Sequence, residues 1–373
     1  VYNHQNERRN YFFITSYVER KESMKRRLVR VLIAACLLSP ALSNAGNPDR
    51  QGEAGGYELL LNPWARNAGL HAMTTSMAYG VEAMQINIAG LSKISKNEFV
   101  ISHTRLFEGT GISLNSLGFA QKMGESGAFG ISLTAMDFGD IKVTTTGAPE
   151  GTGATYSPSF FNIGLGYSYT FDKKVSVGIL LRGISENIAD VNAFGLAIDA
   201  GVQYVSGEKD NFKFGVSLRN MGSPMKFSGE GLSFPTSNPQ GGTDYPITVN
   251  QRAAGFELPS MLNIGLSYDF YAGTKSRITA IGNFTANSFS VDQMGAGVEF
   301  AFREMFMLRG GYRMDLGVPP SDPQHNVYSG LCGGVTIEVP TKKDSAGRFA
   351  IDYAYLATNP FSGTHNFSIR YKM

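Results

Sequence analysis

Phe161-Asn162-Ile163-Gly164-Leu165-Gly166-Tyr167-Ser168-Tyr169-Thr170-Phe171 puts a large apolar residue at every odd position and a small or polar one at every even position. A period of two sends the two sets to opposite faces of a strand. One face is greasy along its whole length and the other is slim and polar, which suits lipid on one side and a lumen on the other. Leu262 to Phe270 repeats the theme, and Pro158 to Tyr167 aligns with Pro259 to Tyr268 as a local echo. Two such segments are expected to hold equivalent places in one architecture.

From Asn97 onward alternation continues with no helical period. About fourteen segments are legible, each near the roughly ten residues of a tilted membrane strand. They run over 97–107, 112–122, 127–138, 159–171, 175–187, 193–205, 211–220, 260–270, 276–287, 292–302, 305–315, 327–338, 347–356 and 364–373. An even number returns both ends of the sheet to the same side. The last segment alternates Phe367, Ile369, Tyr371 and Met373 with Ser368, Arg370 and Lys372. So apolar an edge needs a partner, and pairing with the first segment, near Asn97 to Phe107, closes the sheet. The expected fold is all-β: a transmembrane, antiparallel, up-and-down β-barrel.

Connection lengths agree with this register, because outer-membrane barrels keep periplasmic turns short and place long loops outside. With the first strand running outward, 172–174, 206–210, 272–275 and 303–304 are periplasmic and short. The long connections, 139–158, 221–259 and 316–326, follow the third, seventh and eleventh strands and so share the outer side. Segment 221–259 reads as structureless, with Pro224, Pro235, Pro239 and Pro246 keeping it from adding strands. Its length suits a lid over the lumen mouth or a mobile loop.

Arg182, Asp199, Arg219, Glu299, Arg309, Arg313, Glu338, Asp352 and Arg370 fall opposite the apolar register. They are expected to line the lumen, since an Arg on the lipid face near the midplane costs about 2–4 kcal/mol. Their mixed signs favour a mutually neutralising network over a substrate track, with Arg370 meeting an acidic neighbour such as Asp352. Inward Gly164, Gly166, Gly178, Gly295 and Gly297 leave room for a plug or permit local curvature.

Ahead of the barrel, Met24 is followed by Lys25, Arg26, Arg27 and Arg30, the apolar run Val31 to Leu38, and Ser43-Asn44-Ala45. This is the pattern of a secretory signal, too short to span a bilayer as a helix. Ile33-Ala34-Ala35-Cys36 resembles a lipobox, but cutting there would leave almost no apolar core ahead of Cys36. The expected organisation is 1–23 as an over-extended start, 24–45 as signal peptide, 46–95 as an N-terminal hatch and 96–373 as the barrel. The 373 residues carry a formal charge of +2, yet the first 45 hold eight Lys/Arg and three Asp/Glu, leaving −3 for the rest. The basic character thus belongs to the leader, and no nucleic-acid footprint follows. Cys332 is the single cysteine after processing and reads as a packed strand residue.

The hatch segment does not alternate. Leu59-Leu60-Leu61-Asn62-Pro63-Trp64-Ala65-Arg66-Asn67-Ala68-Gly69-Leu70 leads into a small-residue stretch, Ala72 to Gly80, and then Val81 to Leu91. Too small to fold alone, it gains most by entering the lumen as a plug; the alternative is a periplasmic tail. Ala65-Arg66-x-x-Gly69-Leu70, then Asn87-Ile88-Ala89-Gly90 and Ile351-Asp352-Tyr353-Ala354-Tyr355, in this order after a signal, resembles PorV/PorQ-type proteins within the wider FadL-like superfamily. Asn87, Ile88, Ala89 and Gly90 stand where that family has an Asn-Pro-Ala-Gly hatch motif, with Ile88 in place of the proline. The resemblance implies a fourteen-stranded outer-membrane barrel with a hatch.

It also implies one of two roles. PorV-like proteins work with type IX secretion, receiving secreted proteins or translocon components through outer loops; FadL-like proteins pass hydrophobic small molecules inward. The charged interior argues mildly against a wide greasy channel, so the first is the leading expectation and the second the alternative. An enzyme is not expected: His71, His103, His325 and His365 are widely separated and no nucleophile, phosphate-cradling or metal-ligand pattern is present, so no cofactor is implied. The expected setting is the bacterial outer membrane, with its lipid as the surrounding partner.

Overall fold

In the computed structural model, residues 46–237, 245–318, 326–341 and 347–373 are described, and fourteen strands close into a single antiparallel barrel. The expected leader, residues 1–23 and His325 lie outside the described residues. The strands are β1 Asn97–Arg105, β2 Ser113–Met123, β3 Gly127–Asp137, β4 Ser159–Phe171, β5 Val175–Ile188, β6 Val191–Ser206 and β7 Phe212–Gly222. They continue as β8 Met261–Ala272, β9 Ser276–Asn287, β10 Gln293–Phe302, β11 Phe306–Asp315, β12 Tyr328–Pro340, β13 Arg348–Thr358 and β14 Thr364–Lys372. Each pairs with its sequence neighbours, and β1 pairs with β14 from Glu98↔Lys372 to Arg105↔His365. The terminal edge is thereby removed.

Alternation decides the faces. Ile101, Leu117, Leu165, Leu181, Leu308 and Ile369 are exposed on the outside, while their neighbours Val100, Ser116, Gly166, Arg182, Arg309 and Arg370 turn inward. A girdle of exposed rings, among them Phe129, Tyr169, Phe171, Tyr268, Phe302 and Phe306, rims the end that carries the short turns. Aromatic side chains favour the membrane–water boundary because one part is apolar and another tolerates water. Among the described residues no helix is long and apolar enough to cross a membrane, and the closed barrel with its apolar outer face crosses with its strands. A closed barrel with an apolar outer belt and a plugged lumen is an outer-membrane protein, and we take the short-turn end as periplasmic.

Two of those turns show why they are short. Asp172 and Lys173 both have positive φ, as do Arg303 and Glu304, with Lys174 N donating to Phe171 O and Met305 N to Phe302 O. Positive φ at both central positions is the type I′ geometry that matches strand twist. β4 and β8, the two strands of the local echo, each follow a long outer connection and run inward from it.

The long outer connections hold more structure than their sequence suggests. Ser233–Ser237 pairs with Pro246–Asn250, and Met225–Lys226 with Gly255–Phe256, so Pro235 and Pro246 sit inside short strands. This corrects the expectation that they would prevent strands. A two-stranded ribbon consists only of edges, where a proline lacking its N–H breaks no obligatory ladder bond. Ile141–Lys142 similarly pairs with Thr155–Tyr156. Two bulges interrupt the wall: pairing between β6 and β7 shifts between Ile198↔Met221 and Ala200↔Leu218, and pairing between β12 and β13 between Tyr328↔Thr358 and Cys332↔Leu356.

Leu181 lies at mid-strand with Leu165 and Ile198 directly opposite on either side. Leu181→Arg is expected to cost about 2–4 kcal/mol as a midplane lipid-facing charge. Urea titration of the variant in phospholipid vesicles measures this; an unchanged midpoint would place Leu181 off the lipid face.

Candidate functional site

The chain from Gly46 to Lys96 fills the lumen as short helical turns and tight bends. It starts among the outer loops, where Gly55 N donates to Glu257 O and the Arg50 guanidinium lies 4.3 Å from the Phe289 ring centroid. It then descends through Tyr57–Leu60, Ala65–Ala68 and Ala83–Ile86 to Ile88–Lys93, and joins β1 at the periplasmic end. Along the way it rests on glycines of the wall. A Cβ on Gly166 would lie 2.6 Å from Ile88 Cδ1, on Gly297 2.6 Å from Leu70 Cδ2, and on Gly178 2.9 Å from the carbonyl carbon of Ile88. Gly295 faces Met73 in the same way, whereas a Cβ on Gly164 would meet Ser132 of the wall first, with Met84 in ordinary contact at 3.7 Å. The missing side chains are the room the plug occupies.

Asn87 anchors the bottom of the plug. Its Nδ2 donates to Thr75 O at 2.9 Å, Val202 O at 3.0 Å and Val216 O at 3.2 Å, while Oδ1 accepts from Ala89 N at 3.2 Å and caps the turn Ile88–Lys93. Ile88, Ala89 and Gly90 are buried beside it, and a side chain on Gly90 would strike Ala78. Ile88 sits in the apolar half of the interface with Trp64, Val81, Met84, Leu91 and Leu180. Where a proline would fix the bend covalently, this chain fixes it through the amide of Asn87.

The inward charges fall into separate groups. Arg182 pairs with Asp199 at 2.7 Å and donates to Met84 O at 2.9 Å, and Asp199 Oδ1 accepts from Asn220 N at the β7 bulge at 2.7 Å. Arg309 Nε donates to Glu299 Oε2 at 2.6 Å, and Arg277 joins Glu299 to Asp269 and Glu304. Arg370 meets Glu82 at 3.2 Å, Glu338 at 3.3 Å and Asp352 at 3.5 Å, with Arg66 on the other oxygen of Glu82 at 3.2 Å. Arg219 and Arg313 form no ion pair among the described residues and reach hatch carbonyls instead, Leu59 O at 3.2 Å and His71 O at 3.5 Å. His71 is buried edge-on to Tyr328, and burial together with the Arg313 charge holds its imidazole well below the usual histidine range, hence neutral.

Glu98, Lys213, Asp269 and Arg277 belong to this set and were not singled out from the sequence. Glu98 accepts from Val81 N at 2.9 Å, and Lys213 pairs with Asp269 at 2.6 Å. The same alternation would have found Glu98 and Asp269, each flanked by outward residues. Glu82 had no such signal, because it lies outside any strand.

The lumen therefore has three levels. At the periplasmic end a cavity of about 330 Å³ lies between the hatch and β7–β11, lined among others by Tyr79, Lys213, Asp269, Arg277, Glu299 and Arg309. The middle is the hatch with its buried ion pairs. The outer level is apolar: Leu59, Leu106, Leu114, Met136, Phe160, Ile184, Met225 and Leu258 form one buried cluster, flanked by Phe107, Phe138, Phe227 and Phe256. Its carboxylates, Glu58 and the adjacent Glu186, form no ion pair among the described residues, and burial raises the Glu58 carboxyl above its ordinary range. No group of His, Cys, Asp and Glu able to hold a metal occurs among the described residues.

No protein-family model matches the sequence, and no curated protein matches it. Among solved structures the fold is similar to the CymD monoaromatic hydrocarbon channel, with a TM-score of 0.53 at 13% identity over 84% of this chain and 97% of that one. A deltaS2 mutant of the TodX monoaromatic hydrocarbon channel gives 0.51 at 14% identity over 84% and 97%. The toluene transporter TbuX of Ralstonia pickettii gives 0.50 at 15% identity over 83% and 97%. At these identities the likeness is one of fold, and it agrees with a bacterial outer-membrane barrel.

Proposed function

We propose that this barrel is a FadL-like channel that admits uncharged hydrophobic small molecules through the outer membrane. The observation that carries the reading is the apolar outer level, where Leu106, Leu114, Met136, Phe160 and Ile184 turn inward just above the plug. Most inward positions of an aqueous pore are polar, whereas here the buried ion pairs lie in the middle and periplasmic levels. The charged interior, which in sequence argued against a greasy route, is thus consumed in ion pairs within the wall and with the hatch. The fold neighbours named as hydrocarbon channels support the same reading.

A PorV/PorQ-type role in type IX secretion is the second reading. It rests on the outer hairpin of Ser233–Ser237 with Pro246–Asn250, which exposes Phe234 and could present a surface to a secreted protein. Nothing in the lumen calls for it, and we place it behind transport.

Cells whose outer membrane retains intact lipopolysaccharide are expected to take up radiolabelled toluene several-fold faster when they carry the wild-type protein. Phe160→Glu, which puts a charge into the apolar level, should abolish most of that gain at equal barrel abundance. Equal uptake with and without the protein would overturn the transport reading. Co-purification of secreted cargo in that case would turn the assignment to the second one.

A further inference from the structure

We propose that the peptide bond between Ala45 and Gly46 is hydrolysed by a signal peptidase, and that the new α-ammonium of Gly46 is held by the buried carboxylate of Asp292 at the outer mouth. Water is the co-reactant. It adds to the Ala45 carbonyl, leaving the Ala45 carboxylate on the released leader and the ammonium on Gly46.

Two independent lines converge on this residue. In the sequence, Ser43 and Ala45 supply the small side chains that a signal peptidase reads behind the apolar run Val31 to Leu38. In the structure, Gly46 is seated against the connection between β9 and β10. A Cβ there would lie 2.7 Å from Asp292 N, 2.8 Å from Ser290 O and 2.9 Å from Asp292 Oδ1. Two of those atoms are backbone, so a larger residue would have to displace the connection itself.

Asp292 supplies the chemistry. Its residue is 4% exposed, Oδ1 accepts from Asn287 N at 3.2 Å, and Oδ2 is buried without a hydrogen-bond partner. The backbone of the same residue is fixed, since its carbonyl accepts from Leu316 N at 2.8 Å. No cation pairs with it among the described residues. A buried carboxylate with an idle oxygen is costly unless a charged donor reaches it. A peptide N–H offers one neutral donor, whereas a freed ammonium offers three charged ones. Cleavage thus converts Gly46 from a neutral neighbour of Asp292 into its counter-ion, and Arg50 on Phe289 secures the segment four residues later.

The test uses the protein purified from outer membranes in detergent. Peptide mass analysis should find a chain beginning at Gly46 with a free amine; a first residue elsewhere, or a lipid on Cys36, overturns the proposal. Reductive dimethylation at pH 7 then reads the amine. A free terminal amine, with a pKa near about 8, reacts faster at that pH than a lysine, so Gly46 reacting more slowly than the exposed Lys173 and Lys275 is the expected result. Asp292→Asn should raise Gly46 labelling at least about tenfold, because the amine loses its buried counter-ion. Labelling of wild-type Gly46 faster than those lysines overturns the proposal, whether or not the variant folds.

Discussion

Glu82→Ala is expected to lower the stability of the barrel by about 3–5 kcal/mol, the usual result of removing one partner of a buried ion pair. Glu82 and Arg370 are fully buried and Arg66 nearly so, and Glu82 spends one oxygen on each guanidinium, at 3.2 Å in both cases. Without it two cations, Arg66 of the plug and Arg370 of the wall, remain near one another. Glu338 and Asp352 stay on the Arg370 side, but Glu338 is already shared with Arg348 at 2.6 Å and Lys372 at 2.7 Å. The urea midpoint of the variant in vesicles measures the loss, and Glu82→Gln should fall between wild type and alanine. A double change, Glu82→Leu with Arg370→Leu, should cost less than the sum of its parts, because each single change already breaks the Glu82–Arg370 pair. An unchanged midpoint for Glu82→Ala would mean that the plug is not held by this pair.

Gly178→Val is expected to unseat the plug while leaving the barrel wall intact. A Cβ at 178 would lie 2.9 Å from both the carbonyl carbon and oxygen of Ile88 and 3.0 Å from Ala89 N. These are backbone atoms of a turn whose cap, Asn87, is tied to three carbonyls, so they have nowhere to move. Forcing two more methyl groups into that space costs about 1–3 kcal/mol or more, and the release is withdrawal of the hatch from β5. On the outside of the wall nothing changes, and β5 keeps its pairing with β4 and β6. Planar-bilayer recordings should therefore show low conductance for wild type and larger, unstable openings for Gly178→Val. Equal conductance would show that the glycine is not a seat.

Much of this was legible in the sequence for a physical reason. A membrane wall one residue thick has lipid on one side along its whole length, so a period of two survives in every strand; even Tyr169-Thr170-Phe171, ending at a turn, keeps it. The same rule locates Arg182, Asp199 and Glu299 on the inside. It does not say what they touch. Arg182 and Asp199 are neighbours across β5 and β6, but the third partner, Met84 O, comes from a segment with no period at all. Glu82 and Asn87 belong to that segment too, and their roles rest on contacts such as Glu82 with Arg370, nearly three hundred residues apart. The hairpin around Pro235 and Pro246 escaped notice because the rule against proline in sheets is a rule about interior strands.

The path of residues 46–96 has a consequence for how the protein comes to exist. The segment enters at one mouth and leaves at the other, and the ring around it is closed by β1, its own continuation, pairing with β14. Ala65 N donates to Ser368 Oγ across 303 positions of the chain, so that bond waits until β14 has been made. A ring that closed empty would then have to be threaded by a free end, against the entropy of guiding a loose tail through a narrow hole. Closing the seam around a plug already gathered at its first strand avoids this. The knot is simplest to tie last, with Arg370 on the final strand drawing in Glu82 as the ring shuts, so seating and closure become one event.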